Sequence, residues 1–329
     1  MSLPRRLHSP PIMRVGFVLA GLVLAAALST PTESKNKPAS AGRRFAEAEP
    51  NQPARTEKPA ATDSEPPPSD STVVLVGAGD IGSSAGAEAT AKLLDAIPGT
   101  VITLGDNAYP DGTSANYASY DRHWGRHKER TRPCPGNHDY HTPGAKPYFE
   151  YFGANAGPTG RGYYSFDLGD WHVVSLNSNT DMKAGSAQEQ WLRDDLKANR
   201  KDCILAYWHY PRFSVGPHGS IMESHDVWQA LYEAGAEVVL VGHDHDYQRF
   251  APQTADGQAD PERGIREFVA GMGGSSHYVI KKTLPNLEAQ NDNTYGVLKL
   301  TLGRGTYRWE FVPVAGGAYA DSGTGICHR

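Results

Sequence analysis

The chain has 329 residues, of which 39% are hydrophobic, so it is long enough to bury a sizeable core. Its formal net charge is −5 and its basic residues are scattered, which argues against a surface for a nucleic-acid backbone. A local basic cluster over residues 122–132 is expected on a solvated helix, so no stable nucleic-acid partner is predicted.

The first 29 residues have the pattern of an export signal. Arg5, Arg6 and Arg14 precede an apolar run over residues 15–28, and small residues follow. The run is shorter than the roughly 18 residues expected of a membrane-spanning helix. We therefore predict a signal peptide over residues 1–29 and a secreted or periplasmic protein, with no membrane insertion after cleavage. The alternative is an uncleaved signal that anchors the protein at its N-terminus.

Two further boundaries follow from composition. Residues 30–71 are rich in Pro, Ala, Ser, Glu and Lys and contain almost no side chain that could pack, which predicts a disordered linker. Apolar runs and turn signals then alternate, as in one α/β unit. The sequence predicts a folded domain over residues 72–315 and a C-terminal tail over residues 316–329.

The predicted elements of the first half form two or three strand–helix units. They are a strand over 73–78, a helix over 86–97, a strand over 101–104 and a helix over 117–129. The second half adds a hairpin, a helix and several strands. These are strands over 162–168 and 171–176, a helix over 186–199, and strands over 203–208, 237–241, 267–270, 295–302 and 306–312.

Three cysteines are too few for a disulfide framework. A Cys203–Cys327 bridge, with Cys134 buried beside the loop of Asn137, and three unpaired cysteines are both compatible with the sequence.

Five polar motifs follow turns or apolar runs, where the carboxyl ends of parallel strands bring loops together. They are Gly79-Asp80, Gly105-Asp106 with Tyr109, Gly136-Asn137-His138-Asp139, Trp208-His209 and Gly242-His243-Asp244-His245. Each motif alone is compatible with an ordinary turn or cap. Together they supply carboxylate, imidazole, amide and phenol ligands, which predicts a two-metal centre with Asp106 as the bridge.

In their order, these motifs resemble those of the calcineurin-like metallophosphoesterases over roughly residues 73–250. The resemblance implies an α/β fold, a four-layer α/β/β/α sandwich of two mixed sheets. It also implies a metal-dependent hydrolase that acts on a small-molecule phosphate ester.

The position two residues after the first aspartate carries a histidine in most of that superfamily, and here it is Gly82. Together with Tyr109, this change resembles the purple acid phosphatase branch, in which a tyrosine phenolate binds Fe(III). A phenolate with a free pKa of about 10 needs a highly charged ion to stay deprotonated near neutrality. The resemblance implies two sets of ligands that share Asp106. They are Asp80, Asp106, Tyr109 and His245 for Fe(III), and Asp106, Asn137, His209 and His243 for a divalent iron, zinc or manganese ion.

Two more histidines, His138 and His218, resemble the family's substrate-binding and outer histidines, although His218 could also lie on a surface loop. The expected reaction is hydrolysis of phosphate monoesters by a hydroxide generated on the metals, with His138 or His218 protonating the leaving oxygen. Asp139, Asp244 and Asp246 are expected to orient imidazole N–H groups. The alternatives are a phosphodiesterase or nucleotidase at the same site and a non-catalytic exported protein that binds metal or phosphate. The sequence leaves the oligomeric state open.

Overall fold

The computed structural model describes residues 72–328, so the predicted signal peptide and linker lie outside the described residues. The strands in this range are β1 (Val73–Ala78), β2 (Thr100–Leu104), β3 (Thr131–Cys134), β4 (Tyr164–Leu168), β5 (Trp171–Ser175), β6 (Cys203–Tyr207), β7 (Val238–Val241), β8 (Tyr247–Phe250), β9 (Arg266–Ala270), β10 (Leu287–Asn291), β11 (Gly296–Gly303), β12 (Thr306–Pro313) and β13 (Ser322–Ile326). The α-helices are α1 (Ala85–Ala96), α2 (Ser114–Asp121), α3 (Asn137–His141), α4 (Lys146–Phe152), α5 (Ala187–Ala198) and α6 (His225–Glu233). No helix in this range combines the length and hydropathy needed to cross a bilayer.

The strands form two mixed sheets, which confirms the predicted fold class. The first sheet has the order β13-β12-β11-β1-β2-β3, in which β1, β2 and β3 are parallel. The second has the order β10-β8-β9-β7-β6-β5-β4, with a parallel centre formed by β5, β6, β7 and β9. Both sheets therefore contain parallel strands whose carboxyl ends can carry functional loops.

The two faces of the second sheet are buried in different ways. In β6, Leu205 and Tyr207 belong to a core that also contains residues of the first sheet, whereas Ile204 and Ala206 pack in a second core with residues of α5 and α6. This alternation follows from the two-residue period of a strand. The Tyr207 hydroxyl also donates a hydrogen bond of 2.9 Å to the carbonyl of Arg132 in β3, which ties the two sheets together.

The helix predicted over residues 117–129 is instead divided into α2 and a 3₁₀ helix, Trp124–Arg130. The Trp124 indole donates to the carbonyl of Ala87, and the Arg130 guanidinium donates to the carbonyls of Leu94 and Ile97. The bonds from Arg130 add partners for carbonyl groups at the carboxyl end of α1, and the bond from Trp124 ties the 3₁₀ helix to the first turn of α1. Tertiary contacts therefore override the local helical pattern.

The fold also continues beyond residue 315, where the sequence predicts a tail. Residues 322–326 form β13, which pairs with β12, and Cys327 forms a disulfide with Cys203 at the start of β6. A Cβ atom at Gly323 or Gly325 would lie within 2.3 Å of the rings of Trp309 and Tyr307, so only glycine fits against them. This glycine-rich segment has no strand pattern in the sequence because its packing surface comes from β12.

Candidate metal centre

The predicted metal ligands come from the carboxyl ends of five strands. Asp80 and Asp106 follow β1 and β2, and Asn137 begins α3 after β3. His209 follows β6, and His243 follows β7. The parallel parts of both sheets thus end at one common rim.

Three of these residues have left-handed backbone conformations that are uncommon outside glycine. The φ angles are 58° at Asp80, 50° at Asp106 and 73° at His243. Hydrogen bonds hold the strained loops, because Asp80 Oδ2 accepts from the His243 N–H at 2.8 Å and Asp106 Oδ1 accepts from the His138 N–H at 2.8 Å. Strain of this kind costs about 1–3 kcal/mol per residue and is concentrated at functional sites.

The first group of side chains surrounds the phenol oxygen of Tyr109. This oxygen lies 3.1 Å from Asp80 Oδ1, 3.1 Å from Asp106 Oδ2 and 3.1 Å from His245 Nε2. A Cβ atom at Gly82 would lie 3.3 Å from the Tyr109 ring, so a larger side chain at this position would compete with the tyrosine for space. The pairing of Gly82 with Tyr109 in the sequence therefore has a spatial basis.

The second group surrounds the Nε2 atom of His209, which is completely buried. This nitrogen lies 3.0 Å from Asn137 Oδ1, 3.2 Å from His243 Nδ1 and 3.4 Å from Asp106 Oδ2. Asp106, His209 and His243 have the spacing of ligands to one ion. Because Asp106 Oδ2 also faces Tyr109, it is common to both groups.

The donor set of the two groups fits cations. The Nδ1–H groups of His209 and His245 donate to the carbonyls of Leu104 and Ser276, at 2.8 and 2.7 Å. When these imidazoles are neutral, each Nε2 atom therefore carries a lone pair. The lone pairs point at carboxylate, amide and phenol oxygens, and most of these oxygens are also hydrogen-bond acceptors. Lone pairs that converge in this way repel one another unless a proton or a metal ion lies between them.

The electrostatics of the cluster also favour positive charge. Burial opposes protonation of His209, but the charge and hydrogen bond of Asp106 outweigh this effect and raise the pKa of His209 to about 9. Burial together with the nearby His209 and His218 lowers the pKa of His243 to about 2. Burial and the charges of Asp80 and Asp106 raise the pKa of the Tyr109 phenol well above its usual range. The shifts at His209 and Tyr109 show that the carboxylates create a negative potential, which attracts a cation, whereas His243 is kept neutral.

Both predicted catalytic histidines lie beside this cluster. His138 Nδ1–H donates to the carbonyl of Pro110 at 2.5 Å, which leaves its Nε2 3.8 Å from Asp106 Oδ2. The His218 ring lies 4.1 Å from the His243 ring, and its Nδ1–H donates to Asp244 Oδ1 at 2.9 Å. The loop that contains His218 therefore folds against the site.

The expectation that three aspartates orient imidazoles is only partly met. Asp244 orients the imidazole of His218, but Asp139 instead accepts from Tyr117, Asn107 and the backbone N–H of Gly136. Asp246 accepts from Gln248. The buried Asp139 caps α3 and fixes the loop of Asn137, while backbone carbonyls orient the imidazoles of His209 and His245.

Two aromatic residues beside the cluster were not predicted. The Tyr278 ring stacks on His245 with centroids 4.0 Å apart and an angle of 9° between the planes, and Tyr210 lies 4.6 Å from His243. Tyr210 directly follows His209, which could have indicated its position. Tyr278 lies in an irregular loop after β9, where no strand or helix period indicates its direction.

A cavity of about 870 Å³ lies elsewhere, bounded by Asp202, Arg304 and His328 among other residues. No predicted ligand lines it, so the convergent side chains define the candidate site better than cavity size does.

The fold and the site place this chain in a family. Residues 74–247 match the calcineurin-like phosphoesterase family, and the chain belongs to it. The curated relatives that it is similar to include purple acid phosphatases. It is 31% identical to purple acid phosphatase 21 of Arabidopsis thaliana over 221 residues, which are 59% of this chain and 48% of that protein. It is 25% identical to purple acid phosphatase 18 of the same plant, over 66% of this chain and 53% of that protein.

The chain spans about half the length of these curated relatives. Among solved structures, purple acid phosphatase PPD1 from yellow lupin (Lupinus luteus) seeds matches 78% of this chain and 54% of its own, with a TM-score of 0.70 and 17% identity. At that identity the match establishes a common fold, which agrees with the two mixed sheets.

Proposed function

We propose that this protein is an exported phosphatase with two metal ions that hydrolyses phosphate monoesters. The observation that carries the proposal is the shared oxygen of Asp106, which lies 3.1 Å from the Tyr109 hydroxyl and 3.4 Å from His209 Nε2. One carboxylate oxygen between two complete donor sets is the arrangement that a bridged pair of cations requires.

Each donor set suits a different ion. Asp80, Asp106, Tyr109 and His245 would hold Fe(III), because a phenolate and two carboxylates are hard anionic ligands. Asp106, Asn137, His209 and His243 have a lower negative charge and would hold a divalent iron, zinc or manganese ion. When bound, such ions polarise a phosphoryl group and lower the pKa of water, so that hydroxide is available near neutral pH.

The remaining residues position the substrate and transfer a proton. His138 lies beside Asp106, where the Nε2–H of its cationic form can donate to a phosphoryl oxygen. His218 is oriented by the buried Asp244, and in its cationic form it can transfer the Nε2 proton to the leaving oxygen and become neutral. The aromatic rings of Tyr210 and Tyr278 pack on His243 and His245 and restrict the directions that these imidazoles can take.

The proposal of export rests on the N-terminal sequence pattern. We also propose a signal peptide over residues 1–29 and a linker over residues 30–71, followed by the folded domain. The Cys203–Cys327 disulfide supports export, because structural disulfides persist mainly in oxidising compartments. N-terminal sequencing of protein recovered from the periplasm or medium would locate the cleavage site. Recovery of an uncleaved protein from membranes would instead indicate the anchored form.

The metal centre and the reaction can be tested together on the purified full chain. Metal analysis is expected to give two ions per chain, and the visible spectrum should contain a phenolate-to-iron charge-transfer band. Tyr109→Phe should remove that band. The protein should hydrolyse p-nitrophenyl phosphate faster than bis-p-nitrophenyl phosphate.

Other outcomes would change the proposal in defined ways. Preference for the diester would indicate a phosphodiesterase at the same site. Phosphate binding without turnover, when iron, zinc and manganese are each supplied, would indicate a binding protein. A single bound ion would refute the bridging role of Asp106.

A further inference from the structure

A second cavity adjoins the candidate metal centre. It has a volume of about 330 Å³ and is bounded by two segments, residues 215–217 and residues 277–282. The first segment directly precedes His218. The second contains Tyr278, whose ring lies 4.0 Å from that of His245 and 5.3 Å from that of His218. The Tyr278 ring therefore lines the cavity and also packs on the predicted ligand His245.

The segment on one side of the cavity is firmly connected to the site. The Ser276 carbonyl accepts the Nδ1–H of His245 at 2.7 Å, and the Tyr278 N–H donates to the His245 carbonyl at 3.1 Å. Two residues after Tyr278, the N–H of Ile280 donates a hydrogen bond to the Asp292 carboxylate at 3.0 Å. The backbone up to Ile280 thus has a fixed position relative to the predicted ligands.

Positive charge predominates at the cavity wall. Lys281 and Lys282 line it, and no carboxylate does. Among residues 72–328, neither ammonium group takes part in an ion pair. The nearby carboxylates are already engaged, since Asp244 accepts from Ser214 and His218, and Asp292 accepts from Ile280. This pair of free cations contrasts with the net charge of −5 for the chain.

We propose that this cavity receives the alcohol portion of the substrate and that Lys281 and Lys282 bind a second anionic group on it. The inference rests on the proposed phosphatase function and specifies the substrate class, which is compact phosphate monoesters whose alcohol carries another phosphate. The cavity volume matches a small ligand of this kind. Two consecutive, exposed lysines at the cavity wall supply positive charge that complements a second anion and that a neutral alcohol cannot use.

The test compares two substrates that differ only in the second anion, propane-1,3-diol bisphosphate and propane-1,3-diol monophosphate. The bisphosphate has two equivalent phosphates, which alone give a kcat/KM ratio of about two. Two exposed ion pairs are expected to raise this ratio by a further factor of about five or more at low salt. Lys281→Ala/Lys282→Ala should reduce the ratio towards two. Raising the ionic strength should do the same in the wild type.

A matched control removes two lysines elsewhere. Lys92 and Lys146 are exposed on α1 and α4, and Lys92→Ala/Lys146→Ala changes the net charge equally without altering the cavity. It should retain the wild-type ratio, whereas an equal loss in both double variants would mean that only overall charge matters. A series of diol bisphosphates with longer chains should show an optimum length.

Failure of the two proposals can be separated. If the wild type hydrolyses p-nitrophenyl phosphate but gives the same ratio as the cavity variant, the substrate class is wrong and the phosphatase function stands. Absence of any hydrolysis with iron, zinc and manganese supplied overturns both.

Discussion

Replacing Gly105 by alanine tests whether close packing around His209 sets the geometry of the metal centre. Gly105 directly follows β2 at a φ angle of 83°, and an added Cβ would lie 2.5 Å from Nδ1, 2.6 Å from Cγ and 2.7 Å from Cβ of His209. Ordinary van der Waals contacts begin at 3.4 Å. The imidazole must therefore move by about 1 Å, and the hydrogen bond of Nδ1–H to Leu104 must break or lengthen.

The magnitude of the effect follows from this displacement. A shift of about 1 Å in a catalytic group costs on the order of 10²-fold in rate, so kcat/KM for p-nitrophenyl phosphate should fall by about this factor. The alanine also has an unfavourable positive φ angle, which costs about 1–2 kcal/mol in the free energy of unfolding. Activity and stability should therefore change to different extents.

Gly160→Ala separates the two effects. Gly160 has the same φ angle of 83°, but no atom lies within 4 Å of its added Cβ. It should lose only the backbone part of the stability, about 1–2 kcal/mol in chemical denaturation, and keep its kcat/KM within about twofold, since it lacks the steric overlap. If Gly105→Ala also retains wild-type activity with metals supplied, the position of His209 is not critical and the assignment of its Nε2 as a metal ligand fails.

Three further predictions concern the disulfide, a buried histidine and the proposed acid. Replacing Cys203 and Cys327 by alanine should lower the free energy of unfolding by up to about 5 kcal/mol, because the bond closes a loop with a sequence separation of 124 residues; urea denaturation measures this. Burial lowers the pKa of His172, but hydrogen bonds to Asp195 and Asp167 outweigh this and raise it above 6.5. Its contribution to stability is then present below pH 6.5 and lost as the pH rises through the folded-state pKa, so His172→Gln should be more destabilising at pH 5.5 than at pH 8.5. His218→Ala should slow hydrolysis of an alkyl phosphate by about 10²-fold or more and that of p-nitrophenyl phosphate much less, because a good leaving group does not need protonation.

Each of these predictions has a result that contradicts it. Equal urea midpoints for the wild type with and without reductant would show that the disulfide adds no stability. A destabilisation by His172→Gln that does not vary with pH would mean that the imidazole is neutral in the folded protein. An equal loss on both esters would assign His218 to binding or to structure rather than to proton transfer.

Much of the site could be predicted because its motifs follow short apolar strands. Asp80, Asp106, His209 and His243 each follow a strand whose end is visible in the sequence as an apolar run before a polar residue. Parallel strands place such ends at one rim, so pattern and topology together imply that these residues meet. Tyr109 could be predicted only through the family resemblance that its pairing with Gly82 carries, and the structure adds that Gly82 leaves the space that the tyrosine ring fills.

The contacts of the site that could not be predicted involve backbone carbonyls, a helix cap and a loop residue, none of which is indicated by a periodic pattern in the sequence. The groups that orient His209 and His245 are the carbonyls of Leu104 and Ser276, and any residue type supplies a carbonyl. Asp139 was expected beside an imidazole, but its position in the first turn of α3 makes it a cap for that helix. Tyr278 is placed by the path of a long loop, which local periodicity does not encode.

The two sheets brace the metal centre against each other, and this has a consequence for residues far from it. Leu104 belongs to the first sheet and orients His209 of the second, and Asp80 of the first sheet holds the backbone of His243 in the second. The distances between predicted ligands therefore depend on the spacing of the sheets. Substitutions that alter this spacing, such as at Tyr207, should weaken metal binding even though they leave every ligand in place.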